Sequence, residues 1–180
     1  MFEYARLLHQ EINKQGARTV FYLTWARQDI PEMQAGADPL TSPRYARAMY
    51  QISGAAKTID LETWCAQRRS GLAGGLNGAY FDIAQELKAE VAPVGMAWQR
   101  ALQTDASRVL HMSDKSHPNP SGSYLAACVF YATLFGRSPV GLPGDLKIGN
   151  RIIVEIAPNE AKWLQEVAWR TVQEVKQGRM

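Results

Sequence analysis

The sequence predicts an α/β fold built on a parallel sheet. One observation is the order of its patterns: helix, short apolar run, insertion, helix, second apolar run, loop, helix and a last helix. The other is the character of the two runs. Val20 to Leu23 is continuously apolar and rich in β-formers, and "AEVAPVG" gives a second short run of the same kind. Such runs read as strands buried on both faces, as a parallel sheet requires. The order reads as a layered sheet entered at its middle, with the earlier strands missing and no internal repeat.

Each element follows from a local pattern. Tyr4, Leu7, Leu8 and Ile12 fall at helical spacing, and Gly16 supplies a left-handed stop. A strand over 19–24 comes next, then a polar loop, "ARQDIPEMQAGADPLTSP", with three prolines. Residues 41–75 read as an insertion. Within it "RYARAMYQI" has helical spacing and "LETWCAQRR" suits a short helix, while "SGLAGGLNG" has the composition of a hinge. Tyr80, Ile83, Ala84 and Leu87 mark a second amphipathic helix, and a strand over 91–94 ends at Gly95. "MAWQRAL" allows a helical turn or two. Asn119 or Ser121 can cap the next helix, Pro120 fits an early position, and Gly136 ends it. "RIIVEIAP" suits a strand or an irregular edge segment. The last helix starts near Pro158, carries Leu164, Val167, Ala168, Val172 and Val175 on one stripe, and stops at Gly178.

Composition narrows the function classes. The chain has 180 residues, 46% hydrophobic and 21% charged, which suits one globular domain over 1–180. Its net charge is +3, but the Lys and Arg residues are scattered, so no nucleic-acid footprint is expected. No apolar run reaches membrane length, and the charged residues of 1–16 exclude a signal peptide there. The chain reads as soluble; its compartment stays open. Cys65 and Cys128 make neither a disulfide framework nor a zinc motif. Cys128 reads as a small core residue, and Cys65 as an exposed thiol or a partly buried residue. "GLAGGLNG" lacks the preceding strand and following Lys-Ser/Thr of a phosphate loop.

The chemistry lies in "SDKSHPNPSGSYLAACVFYATLFGRSP" (residues 113–139). Asp114 and His117 stand three apart before an apolar helix. A histidine acting as general base needs one ring nitrogen facing the nucleophile and the other held by an acceptor. Three residues on a turn let the two side chains converge, and Pro118 and Pro120 stiffen that turn. His111 extends the spacing to His-x-x-Asp-x-x-His, but no fourth ligand is evident, and it reads as a strand-end or surface residue. Metal and cofactor are therefore not expected.

The 113–139 block with Leu142-Pro143, together with "TVFYLTWAR" and "AEVAPVGMAWQRAL", resembles the C-terminal half of the SGNH/GDSL hydrolase superfamily. The likeness covers most of residues 1–40 and 76–143. It implies a flavodoxin-like three-layer α/β/α sandwich and hydrolysis of an ester or acetyl ester without metal, on a small or carbohydrate-linked substrate. Asp114 and His117 match the family's Asp-x-x-His, as orienter and general base. Trp25 and Arg27, otherwise packing and a salt bridge, become candidate pocket residues; Trp98 stays a core residue. The family's Gly-Asp-Ser, Gly and Gly-x-Asn blocks have no counterpart. Gly144-Asp145-Leu146 has Leu where Ser is needed and reads as a loop, and Asn77 stands in another context. The nucleophile is thus unknown, and this chain alone is expected to be inactive. The alternative is a non-catalytic truncated fragment or a binding or oligomerisation module. Strand 19–24 would carry an open edge, covered by the insertion, by "RIIVEIAP", by a second copy or by a partner.

Overall fold

A computed structural model describes residues 2–42, 44–45 and 75–178, apart from the Leu146 side chain. Its elements run α1 (Phe2–Lys14), β1 (Val20–Tyr22), α2 (Pro31–Gln34), a 3-10 turn (Pro39–Thr41), α3 (Gly75–Glu86), β2 (Glu90–Ala92), α4 (Val94–Thr104), α5 (Pro120–Phe135), β3 (Asp145–Ile148), β4 (Arg151–Glu155) and α6 (Pro158–Lys176). The architecture is mixed helix and strand with a small parallel sheet. β1 pairs with β2 in parallel, Val20 beside Glu90 and Tyr22 beside Ala92. The two expected strands are thus neighbours and parallel, each somewhat shorter than its apolar run.

The core lies where α4, α5 and α6 meet. Val94, Ala97, Trp98 and Ala101 pack with Leu125, Val129 and Ala132, and with Leu164, Ala168 and Val172. α5 is apolar on nearly every side because it also packs on β2. Asn119 caps it, its side chain accepting the Gly122 N–H at 2.9 Å. Gly136 closes it at φ +62°, a left-handed conformation that suits glycine.

Several expectations are corrected. Gly95 does not end the strand; it lies in the first turn of α4, which runs to Thr104 rather than for a turn or two. Its N–H donates to the Leu23 carbonyl at 2.7 Å, and a Cβ there would strike the Thr24 carbonyl. Gly95 therefore lets α4 abut the end of β1. The polar loop after Trp25 contains α2 and the 3-10 turn, both started by prolines. "RIIVEIAP" supplies β4, which pairs antiparallel with β3, so Asp145-Leu146 belongs to a strand and not a loop. This hairpin is a separate sheet and does not extend β1. Gly75 to Gly78, in the stretch with the composition of a hinge, are helical in α3. Most of the 41–75 insertion, "LETWCAQRR" with Cys65, and most of "RYARAMYQI" lie outside the described residues.

The outer edge of β1 follows from its ladder. Leu23 N–H donates to Ala92 and Glu90 N–H to Thr19, so these groups face β2. The backbones of Val20 and Tyr22 face the other way, and among the described residues no strand pairs with them. α1 buries no residue fully and leaves Tyr4, Leu7 and Leu8 more than half exposed.

Candidate functional site

The site begins as a narrow hairpin-like loop. The Met112 N–H donates to the His117 carbonyl at 2.8 Å and the Asn119 N–H to the Leu110 carbonyl at 2.9 Å, with His111 and Pro118 as bridge partners. Asp114 shapes the tip. Its Oδ1 accepts the backbone N–H groups of Ser116 at 3.0 Å and His117 at 2.9 Å, as short acidic side chains do in turns. Lys115 takes φ +59° at the tip, a conformation uncommon for a side-chain-bearing residue.

This turn brings the two sequence-predicted residues together. His117 Nδ1–H donates to Asp114 Oδ2 at 2.6 Å. Because the carboxylate can only accept, the tautomer is set and Nε2 is left as the basic nitrogen. The bond to His117, followed by the two backbone donors, holds the Asp114 carboxyl well below the usual carboxylate range. The pair is open to solvent, with the His117 side chain 72% exposed. Among the described residues no hydroxyl or thiol is hydrogen-bonded to Nε2. Ser121, four residues on, donates to Glu160 at 2.7 Å instead.

Three bonds clasp the turn to the segment leaving β1. Trp25 Nε1–H donates to the Ser116 carbonyl at 2.9 Å, and Gln28 N–H to the Lys115 carbonyl at 2.9 Å. The third runs from the far side: His111 Nε2–H donates to the Ala26 carbonyl at 2.9 Å. The dyad turn, which follows α4, is thus clasped to the segment leaving β1, at the end of the sheet where open α/β folds place their ligands.

Trp25 is therefore a scaffold for the turn. Its ring stacks on Trp98 at 4.6 Å between centroids and 14° between planes, while its indole nitrogen faces the loop. Trp98 is fully buried, as expected of a core residue. His111 is not at the surface: it is 3% exposed, edge-on to Trp98, and burial lowers its pKa so that the neutral ring is favoured. Sequence reasoning missed its role, and the missed signal was its place three residues before Asp114 in a strand-like run. Arg27 is exposed and forks onto Asp29 at 3.2 and 3.3 Å. Cys128 is buried in α5, where burial pushes its thiol up to about 11, so it is no nucleophile at neutral pH. Asn77 is buried in α3, away from the Asp114–His117 turn's hydrogen bonds. Among the described residues no group of three His, Cys, Asp or Glu side chains is arranged to hold a metal, and no helix is long and apolar enough to cross a membrane.

No protein-family model, no curated protein and no solved structure matches this chain.

Proposed function

We propose that the chain carries the Asp–His half of an SGNH/GDSL-type serine hydrolase acting on an ester or acetyl ester, within the C-terminal portion of a flavodoxin-like three-layer sandwich. The observation that carries this reading is the 2.6 Å bond from His117 Nδ1 to Asp114 Oδ2, on an exposed turn clasped to the segment leaving the parallel strand β1. In this role Nε2 takes the proton of an attacking hydroxyl, and Asp114 holds the ring in place and stabilises the imidazolium. In this reading the hydroxyl and the oxyanion donors come from another polypeptide, so the isolated chain is a poor catalyst. The parallel β1–β2 pair and the helices packed on β2 support the sandwich; a strand beside β1 would bring its C-terminal end toward the same turn.

The test is labelling with a serine-directed fluorophosphonate of the protein purified from its native host. The expected result is a labelled serine on a co-purifying polypeptide, with the label lost in His117→Ala. No label, or a label indifferent to His117, would sink the reading.

The second reading, a non-catalytic binding or oligomerisation module, draws on the unpaired outer edge of β1 and the exposed Tyr4, Leu7 and Leu8. It expects a stable oligomer in light scattering at micromolar concentration and no phosphonate label.

A further inference from the structure

A cavity of about 480 Å³ opens beside the start of β2, between α3, α5 and α6. β1 and β2 are parallel, and the dyad turn is clasped past the end of β1, so the cavity lies at the opposite end of the sheet. Its size suits a small ligand. Its walls are apolar at Phe81, Ala84, Val91 and Val175.

One group in this wall is out of keeping with a closed core. Thr133 lines the cavity and is 4% exposed, and its hydroxyl has no hydrogen-bond partner. Thr104 and Thr171, also helical, each donate to the carbonyl four residues earlier at 2.8 Å. Thr133 on α5 makes no such bond. A buried hydroxyl left unpaired is costly, and natural proteins keep few of them.

The charged groups come from separate walls. Asp82 stands on α3 and Lys176 in the last turn of α6, where Lys176 makes no ion pair with a described residue. Glu90, the third, is already matched by Arg18 at 3.3 Å. α3 ends at Glu86 and α5 at Phe135, just beyond Asp82 and Thr133, and helix C-termini carry negative partial charge. A simple anion would meet Asp82 and these helix ends, and a simple cation would meet Lys176. A zwitterion answers both. Its ammonium suits the Thr133 oxygen and Asp82, whose carboxylate can accept from several donors at once, and its carboxylate suits Lys176.

We propose that this cavity binds a free α-amino acid with an apolar side chain, as its zwitterion. The site is separate from the dyad and rests on neither reading of function given above. The test is a two-dimensional amide NMR titration of the isotope-labelled chain with L-leucine and L-phenylalanine at millimolar concentration. Each is matched by the amine without its carboxylate (3-methylbutylamine, 2-phenylethylamine) and the acid without its ammonium (4-methylpentanoate, 3-phenylpropanoate). At least one amino acid should move the backbone amides of Val91, Thr133 and Val175 together, and its matched amine and acid should each bind about tenfold more weakly, the worth of one charge-assisted hydrogen bond. Lys176→Met should cost the amino acid about tenfold without weakening the matched amine. Thr133→Val should weaken amino-acid binding about fivefold and raise the Tm of the unliganded chain, because the unpaired hydroxyl is gone. Binding should persist in His117→Ala. No shift with either amino acid, shifts confined elsewhere, a matched amine or acid binding as tightly as its amino acid, or a Thr133→Val chain unchanged in both affinity and Tm would each overturn the proposal. Because the readout needs no turnover, it stands or falls independently of phosphonate labelling.

Discussion

Gly122→Ala sets two effects of opposite sign against each other. Gly122 is in the first turn of α5, where alanine is the better helix former by up to about 1 kcal/mol. A Cβ at Gly122, however, would strike the Leu110 carbonyl and lie 2.5 Å from Cη2 and 2.8 Å from Cζ3 of Trp98. Neither neighbour yields easily. Trp98 is buried and stacked on Trp25, and the Leu110 carbonyl already accepts the Asn119 N–H at 2.9 Å. Overpacking of this kind costs about 1–3 kcal/mol. The packing cost outweighs the helix gain, for a net loss of about 1–2 kcal/mol. In a chain this size that lowers Tm by about 2–8 °C. The displacement should also reach function, because Leu110 and His111 form the base of the dyad loop. Differential scanning calorimetry would measure the first effect, and the NMR signals of His117 and the Trp25 indole the second. A Tm that rises, with both signals unmoved, would refute the packing argument.

Other expectations follow from the same geometry. Trp25→Phe keeps an aromatic ring on Trp98 but removes the donor to the Ser116 carbonyl; about 1 kcal/mol of stability should go, and amide exchange at Ser116 and His117 should quicken, whereas unchanged exchange would show that the clasp is idle. Asn119→Ala removes both the cap of α5 and the 2.6 Å bond from Nδ2 to the Val109 carbonyl, so urea unfolding should report a loss of about 1–2 kcal/mol; a loss within error would deny the cap its role. Glu174 is held down to about 2 from its ordinary 4.5, first by Arg100 and then by Arg170, so its stabilisation is complete above 4.5 and fades as pH falls toward 2. Allowing for solvent screening this is on the order of 1 kcal/mol, and Glu174→Gln should flatten that part of the acid limb in melts recorded between pH 5 and pH 2. The isolated chain should hydrolyse p-nitrophenyl acetate little faster than equimolar imidazole; a robust rate that maps to Ser121 or Ser123 would overturn the placement of the nucleophile elsewhere.

The local grammar of the sequence determined the periodic elements. The unbroken run Val20–Leu23 and the run about Val91 specified strands, and the helices before and after them followed from apolar spacing and end signals such as Asn119 and Gly136. The Asp114–His117 bond was equally legible, because three residues of turn bring those side chains together wherever the turn sits. What the sequence could not show depends on contacts between distant segments. Trp25 meets Ser116 across 91 positions and His111 meets Ala26 across 85, so no window of sequence contains either bond. Gly95 looked like a strand end because glycine often marks one; only the approach of Thr24 explains why it begins a helix instead. The "RIIVEIAP" segment was ambiguous for a similar reason: Ile152 and Ile153 stay largely exposed, so no buried face imposed a period, and the segment became a strand only through its pairing with Asp145–Ile148. Short-range preferences fix what a segment can be, while the partner that arrives from elsewhere in the chain fixes what it is and what it can hold.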